Sequence, residues 1–440
     1  MSGMAGGDAP HPFSIRDFRF LWLARFSASF ATMAMIIVLG WQTYDLARSD
    51  YGYSIGGASF LLGMLGLAQF IPLFLLTPFA GWVADRFERG RVAMVADGID
   101  LVIALTLALA TYHDWLTLPL LFLLAALHGV ARVFIGPAMS SIAPNIVPAG
   151  SLPRAIALSS IAWQSATVAG PAVGGLLYAV RPDLAYWMAC IFLLLAICAL
   201  GPIRRVVPPP MAQHIHPIRQ MIDGLTYVRG HRFLLGAITL DLFAVLMGGA
   251  TALLPVYARD ILHVGAEGLG QLRAAPALGS VIIGLYFSVR PLKTNVGVKM
   301  LAAVVGFGLA TIGFGLSALT PSQPISVPGF GQILRLDMAV ALLSLAFVGG
   351  FDMLSVFVRN SLVQLHTPDA MRGRVSAVSG VAISASNELG EVQSGIAAAL
   401  LGPVGAVVAG GAGAALITLW WARVFPELRN ARSFDPPNNI

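Results

Sequence analysis

Twelve apolar runs, each long enough to cross a bilayer, constrain this chain more than any other feature of its sequence. An α-helix rises about 1.5 Å per residue, so about 20 apolar residues cross the hydrocarbon core. Because lipid offers the backbone no partners, each run is predicted to be a helix, and the run lengths exclude a membrane β-barrel. The runs lie near 18–46, 57–83, 92–112, 116–142, 155–179, 184–202, 233–257, 267–289, 298–319, 337–363, 375–401 and 404–425.

The composition agrees with an integral membrane protein. Of the 440 residues, 57% are hydrophobic and 11% are charged, whereas a soluble domain carries about 25% charged residues. Residues 1–15 are polar and contain no apolar segment of their own, so no cleavable signal peptide is expected. Cys190 and Cys198 share one apolar run, which predicts neither a disulfide framework nor a metal site.

The positions of Arg and Lys predict the orientation of the chain. If the N-terminus is cytoplasmic, the cytoplasmic segments hold 19 Arg and Lys residues. The opposite face then holds four, which are Arg48, Arg181, Arg259 and Arg335. Positive charge collects on the cytoplasmic side of membrane proteins, so both termini are predicted to be cytoplasmic.

The chain is predicted to contain two six-helix halves. The longest polar break, 203–232, separates the sixth and seventh runs, and its second part, Ile218–Arg229, has the helical period of a short interfacial helix. The predicted segments are a tail at 1–17, a first bundle at 18–202, the linker at 203–232, a second bundle at 233–425 and a tail at 426–440.

The two halves are internal repeats. At an offset of 213 residues Tyr44 matches Tyr257, and at an offset of 220 residues Arg154 matches Arg374. Parallel repeats around a central substrate site are a transporter architecture. The aromatic residues Tyr44, Tyr257 and Trp163 are weak candidates for stacking on a flat substrate, since such residues are more often structural.

A charged loop lies between the second and third runs, with the pattern G-x-x-x-D-R-x-x-R-x-R. One interpretation is a solvated turn with cytoplasmic positive charge. The other is a gate in which Asp85 acts as a latch, pairing with Arg89 or Arg91 and facing the N-terminal end of predicted helix 11. The candidate gate residues are Gly81, Asp85, Arg86, Arg89, Gly90 and Arg91.

Predicted helix 5 contains the sequence Gly170-Pro171-Ala-Val-Gly174-Gly175. Glycine and proline give a smooth, bendable helix surface, which a helix of the other half could approach and rock against. The alternative is a generic small-residue packing face.

Charged residues inside the runs are the candidates for substrate binding and proton coupling, because each costs at least about 2.5–3.5 kcal/mol in the membrane. They are Arg25, Asp97, Asp100, Arg132, Asp241, Arg273, Asp352, Arg359, Glu388 and Glu391. Arg25, Asp97, Asp100 and Arg359 are placed near helix ends and are expected to reach the interface.

Two sets of these residues are the leading candidates for proton coupling. Arg132 and Asp352 are equivalent at the 220-residue offset, so they are expected to approach each other or to share substrate and proton; a fixed ion pair within one half is the alternative. Glu388 and Glu391 lie on one helix face, beside Asn387, and form the rival proton site. Asp241 is a third candidate, and a packing role remains open for each of these residues.

The sequence resembles the major facilitator superfamily. The loop at 81–91 has the form of its signature loop, and Gly170–Gly175 is similar to a motif of its drug–proton antiporters. The stretches 240–260, 272–277 and 371–377 look like the bacterial subgroup that contains the enterobactin exporter. One departure is Arg132, where many relatives are expected to have an uncharged residue.

The resemblance implies an all-α fold of twelve transmembrane helices in two pseudo-symmetric bundles. It also implies a proton-driven exporter of siderophores or hydrophobic compounds in the bacterial inner membrane, acting as a monomer in the lipid bilayer. Nutrient uptake is the alternative within transport, and a membrane sensor or enzyme is the alternative outside it. No nucleotide-binding motif, nucleic-acid partner, metal site or cofactor is predicted.

Overall fold

The computed structural model describes residues 10–205, 217–290, 292, 294–327 and 331–434. Its long helices are labelled in chain order. They are α1 (Arg16–Ser49), α2 (Ile55–Arg86), α3 (Arg89–Tyr112), α4 (Leu118–Ser140), α5 (Leu152–Val180), α6 (Pro182–Leu200), α7 (Arg232–Met247), α8 (Gly265–Val289), α9 (Val296–Leu316) and α10 (Leu336–Leu365). A final helical segment, Asp369–Val424, contains α11 and α12.

The segment Asp369–Val424 is two helices that meet at Gly402. Gly402 has φ +75°, a backbone conformation that favours glycine, and Pro403 follows it at the start of α12. Ten helices of the described chain are long and apolar enough to cross a membrane, counting this segment once. Counting its two parts separately and adding α5 gives the twelve predicted helices.

Helix α7 differs from its prediction as one continuous helix over 233–257. The α-helix ends at Met247, and the chain continues as a 3₁₀ turn at Ala250–Leu253 and a π-helical turn at Tyr257–Ile261. The interruption falls on Gly248 and Gly249. A Cβ on Gly249 would lie 2.7 Å from the carbonyl oxygen of Gly390 in α11, so close packing of the two backbones accounts for the break.

Two connecting elements complete the fold. A helix is present at Pro217–Gly230, where the linker helix was predicted, and its interfacial position stays a prediction. A Cβ on its Gly224 would lie 2.7 Å from the carbonyl oxygen of Arg374 at the start of α11. An antiparallel hairpin, β1 (Pro324–Val327) and β2 (Gly331–Arg335), lies between α9 and α10. The sequence pattern did not predict this hairpin.

The chain folds as two compact units. One contains Met1–Leu39 and Ile71–His214, and the other contains Gly40–Phe70 and Ile215–Ile440. Each has its own apolar core. The first includes Phe18 and Met139, and the second includes Met300 and Leu362. The C-terminal end of α1 and the N-terminal half of α2 therefore belong to the same unit as α7 to α12.

Candidate functional site

A buried ion pair joins α7 to α10. A guanidinium nitrogen of Arg359, Nη1, contacts Oδ2 of Asp241, and the two residues are 2% and 7% exposed. The expectation that Arg359 reaches the membrane interface is therefore wrong, because its partner lies on the neighbouring helix. Asp241 was predicted as a proton-coupling candidate, and the structure adds a cation beside it.

The carboxylates of α11 lie near a cation from α8. The charges of Glu391 and Glu388 both act on the guanidinium of Arg273. The side chain of Glu391 also covers Gly66 of α2, where an added Cβ would lie 2.6 Å from its Oε2. Asn387 is exposed. The predicted pair of carboxylates is thus a cluster of two acids and one arginine.

The break in α7 lies against the same face of α11. The hydroxyl of Ser394 donates a 3.0 Å hydrogen bond to the carbonyl oxygen of Gly249. This bond gives a partner to a backbone group released by the helix break, as membrane burial requires. Glu391 lies one turn before Ser394 on α11. Broken helices beside charged side chains are typical of transporter binding sites.

A second network ties the end of α1 to the π-helical turn that follows α7. Asp260 accepts a 2.5 Å hydrogen bond from the hydroxyl of Tyr44 and lies 3.3 Å from Nη2 of Arg48. Arg259 pairs with Asp45 at 2.6 Å and donates a 2.9 Å hydrogen bond to Ser49. Two crossed ion pairs therefore link these helix ends.

The sequence reasoning missed this second network. It treated Arg48 and Arg259 as charges of the face opposite the cytoplasmic one, and it considered Tyr44 and Tyr257 for substrate stacking. Both tyrosines are fully buried, and the hydroxyl of Tyr257 donates to the carbonyl oxygen of Gly315. They therefore hold helices together. The sequence signal that could have revealed the network is an acid and an arginine at each of the two helix ends, Asp45 with Arg48 and Arg259 with Asp260.

The remaining candidates for proton coupling stay predictions. Arg25 and Arg132 are half-buried in the first unit, and Asp352 is half-buried in the second. Arg132 and Asp352 thus belong to different units, and their mutual approach is untested.

The charged loop between α2 and α3 has its own contacts. Arg89 donates a 2.7 Å hydrogen bond to the carbonyl oxygen of Ser141 at the end of α4, and Arg91 pairs with Glu88 at 2.7 Å. Arg86 is exposed at the end of α2, and Gly90 lies in the first turn of α3. The side chains of Gly81 and Asp85 lie outside those described, so the latch remains a prediction.

The glycine–proline motif of α5 faces α1. A Cβ on Gly170 would lie 2.8 Å from the carbonyl oxygen of Phe30, and one on Gly174 would lie 3.1 Å from the Cβ of Ala34. Pro171 and Gly175 are buried in the continuous helix. The motif was expected to meet the other half, but these two glycines pack against a helix of the same half.

Two carboxylates of α3 are also placed differently from the expectation. Asp97 and Asp100 were expected near the interface, but both are fully buried, and Asp100 contacts the ring of His128 in α4. The expectation placed Asp100 too close to the end of its helix. The helix begins at Arg89, before the predicted start at residue 92, so Asp100 lies near its middle. His128 belonged to no motif. No group of His, Cys, Asp and Glu in the described chain is arranged to hold a metal ion.

Comparisons with known proteins agree with this architecture. The Major Facilitator Superfamily sequence model matches residues 21–391. The enterobactin exporter EntS of Shigella boydii serotype 18 is 25% identical over 420 residues, covering 95% of this chain and 94% of the exporter. EntS of Escherichia coli (strain K12) gives the same identity and coverage.

Solved transporters share the fold at low sequence identity. A POT family transporter in complex with a thioalcohol-conjugated peptide is 14% identical with a TM-score of 0.71, covering 94% of this chain and 96% of its own. A D-xylose–proton symporter is 14% identical with a TM-score of 0.68, covering 95% of this chain and 99% of its own.

Proposed function

We propose that this chain, which belongs to the major facilitator superfamily, exports a small organic molecule across the bacterial inner membrane in exchange for protons. It is a multi-pass membrane protein of a transporter family. The substrate, the direction of transport and the use of protons are the proposed parts. The cytoplasmic position of both termini belongs to the same proposal.

The cluster of Arg273, Glu388 and Glu391 beside the broken helix α7 carries the proposal. With both carboxylates ionised, the cluster carries one net negative charge, which can take up a proton or accept a hydrogen bond from a donor group of the substrate. Proton binding and substrate binding can therefore compete for the same anion, which is the requirement for exchange. The charge balance of the cluster changes by one when a proton leaves.

The network of Tyr44, Asp45, Arg48, Arg259 and Asp260, which we place on the outer face, supports alternating access. The crossed pairs Asp45–Arg259 and Arg48–Asp260 join the first helix of one repeat to the first helix of the other. Ion pairs with partly exposed partners contribute about 0–1 kcal/mol each, so they can form and separate during a transport cycle. We assign them the role of an outer gate, with the loop at 81–91 proposed as its cytoplasmic counterpart.

The proposed substrate class is a siderophore or a hydrophobic, drug-like compound. The curated relatives with enterobactin in their names match 95% of this chain at 25% identity. The guanidinium groups of Arg132 and Arg273 provide planar, bidentate donors for catecholate or carboxylate oxygens. Their presence favours an anionic substrate, and a panel of compounds is needed to identify it.

An accumulation panel in a deletion strain tests the proposal. The cells are loaded with enterobactin, with a simpler catecholate or with ethidium, and the retained amount is measured with and without a protonophore. Export predicts higher retention in the deletion strain, and a protonophore should raise retention in the parent strain to the same level.

Two outcomes would contradict the proposal. Lower retention in the deletion strain for any compound would indicate uptake, which is the alternative function. Export that continues unchanged in the presence of the protonophore would show that protons do not drive it.

A separate experiment tests the buried ion pair. The double variant Asp241→Asn, Arg359→Gln neutralises the pair, and the same retention measurements show whether the pair is needed for export and for its dependence on protons.

A further inference from the structure

Three titratable side chains meet in the interior of the first unit, away from the residues assigned to transport above. Asp97 and Asp100 lie on α3, and His128 lies on α4. All three are fully buried. Asp100 is near the middle of Arg89–Tyr112, and His128 is near the middle of Leu118–Ser140. The cluster therefore lies at the level of the hydrocarbon core.

The cluster contains one hydrogen bond and several unpaired polar atoms. Nδ1 of His128 lies 2.8 Å from Oδ1 of Asp100. Both carboxylate oxygens of Asp97, Oδ2 of Asp100 and Nε2 of His128 have no hydrogen-bond partner among the described residues. Buried polar atoms of this kind are costly and usually have a functional reason. Asp97 is the clearest case, because neither of its two carboxylate oxygens has a hydrogen-bond partner among the described residues.

Within the described part of the chain, neither carboxylate oxygen of Asp97 is hydrogen-bonded to a counter-charge. Helix α3 packs against α4 and α6. Helix α6 contributes the buried titratable groups Asp183, Tyr186 and Cys190. Asp183 is paired with Arg181 at the start of the helix, and the tyrosine and the cysteine are neutral near neutral pH. The charge that acts on Asp97 is that of Asp100. On α4, Arg132 lies one helical turn from His128, on the same helix face.

The charges of the three side chains determine how many protons the cluster must bind. With both carboxylates ionised and the imidazole neutral, it would hold two negative charges in a water-free interior. Such a state is strongly disfavoured, so the cluster must bind protons to stay near electrical neutrality. A net-neutral cluster holds two protons more than this dianionic state. Loss of one proton leaves a single negative charge, and the cation of α4 is Arg132, one helical turn from His128.

We propose that Asp97, Asp100 and His128 form a reversible proton-binding site inside the first unit. While α3 and α4 are packed together, the proton can move between the imidazole and the two carboxylates. When the two helices separate locally, the proton exchanges with water. His128 is both donor and acceptor through its two ring nitrogens. A purely structural cluster would keep one protonation state throughout.

The consequence for transport rests on the function proposed above. Arg132 is a candidate substrate ligand, and its position one turn from His128 links the charge of the cluster to the charge available for substrate. Release of the proton would free a negative charge for Arg132 to pair with, in competition with an anionic substrate. The site would thus add a second coupling point to the one at Glu391.

Infrared difference spectroscopy of the full-length protein in liposomes tests the proton site without any substrate. The pH is stepped reversibly, and the carbonyl band of protonated carboxylic acids is recorded. We expect a band that appears and disappears with pH and that is lost in Asp97→Asn and altered in Asp100→Asn and His128→Gln. The matched control is Thr106→Val, which removes a half-buried hydroxyl outside the cluster from the same helix.

The outcomes are separable. Spectra of Asp97→Asn and Asp100→Asn that equal the wild-type spectrum at every pH would overturn the proposal. If Asp97→Asn prevents folding, Asp97→Glu is used instead, because it keeps a carboxylic acid at this position. A displaced carbonyl band in Asp97→Glu would support the assignment to Asp97, and an unchanged band would overturn it. A titrating band in a protein that exports none of the panel compounds would support this site and contradict the proposed function.

Discussion

The hydroxyl of Tyr44 donates a 2.5 Å hydrogen bond to Oδ2 of Asp260, which ties the end of α1 to the π-helical turn beyond α7. At the 213-residue offset between the predicted repeats, Tyr44 matches Tyr257. The repeats therefore use the same position differently, because Tyr44 bonds a side chain whereas Tyr257 bonds the carbonyl oxygen of Gly315. Asp260 is held from two sides, since Arg48 lies 3.3 Å from its other oxygen.

Removing the Tyr44 hydroxyl should weaken the proposed outer gate. Tyr44→Phe deletes a hydrogen bond to a carboxylate in a buried setting, and such bonds contribute about 1.5–3 kcal/mol. We expect a lower thermal unfolding temperature and faster labelling of a cysteine placed at Ser49 by a membrane-impermeant maleimide. Tyr53→Phe is the control, because Tyr53 is 43% exposed. Equal labelling rates in both variants would argue against a gate.

The sequence predicted the long helices well because their lengths and polarity are local properties. Predicted helix 3 at 92–112 is observed as Arg89–Tyr112, and predicted helix 8 at 267–289 is observed as Gly265–Val289. Helix α7 could not be predicted in the same way. Its break depends on the backbone of α11 approaching Gly249, a tertiary contact that leaves no periodic signal in the sequence.

The candidate site was predicted only in part, for a related reason. Glu388 and Glu391 were identified from their own helix, but their cation, Arg273, comes from a different helix. Asp241 and Arg359 were considered separately, although they form one buried pair. A charged residue in a helix can be found from sequence, whereas its partner depends on helix packing. His128 was missed because a single histidine in an apolar run fits no motif.

Filling the space at the α7 break should destabilise the protein and slow transport. Gly249→Ala places a Cβ 2.7 Å from the carbonyl oxygen of Gly390, so one backbone must move, at a cost of about 1–3 kcal/mol. The matched control is Gly380→Ala in the same helical segment as Gly390, where no atom lies within 4 Å of the added Cβ. That control should stabilise by at most about 1 kcal/mol. Thermal unfolding in detergent measures both, and equal unfolding temperatures would contradict the packing argument.

The buried pair of Asp241 and Arg359 should contribute to stability through mutual neutralisation. Asp241→Leu leaves Arg359 buried without its partner, which costs about 3–5 kcal/mol. The double variant Asp241→Leu, Arg359→Met removes both charges and should recover most of this loss. Transport by a stable double variant then decides whether Asp241 also carries protons. A double variant as unstable as the single one would show that the pair itself is not the cause.

The exposed ion pair of Arg232 and Glu427 contrasts with this buried pair, and its contribution to stability depends on pH. Arg232 lies 2.9 Å from Glu427. A backbone hydrogen bond and, less strongly, the hydrogen bond and charge of Arg232 lower the pKa of Glu427 below its ordinary value of 4.5, against a smaller opposing effect of burial. A lowered carboxyl pKa gives stability that is present above pH 4.5 and lost as the pH falls below it. Solvent screening limits this stability to below about 1 kcal/mol. Glu427→Gln should therefore shift the unfolding temperature slightly at pH 7 and not at pH 3.

Neutralising Glu391 should separate substrate movement from proton movement. Glu391→Gln fixes the cluster in the charge state of a protonated acid beside Arg273 and Glu388. We expect substrate exchange between two sides of equal pH to continue, because it needs no net proton transfer. Accumulation driven by a pH gradient in proteoliposomes should fall to the level of empty vesicles. Asp352→Asn, examined in parallel, tests the rival carboxylate in the same two assays.

The control for Glu391→Gln is Glu267→Gln, because Glu267 is an exposed acid in the first turn of α8. This change alters the net charge by the same amount without entering the cluster, so both assays should match the wild type. If Glu391→Gln also accumulates substrate normally while Asp352→Asn does not, the proton is carried on α10. Loss of equal-pH exchange in Glu391→Gln would instead show that the carboxylate binds substrate directly, since a neutral amide cannot replace an ionic contact.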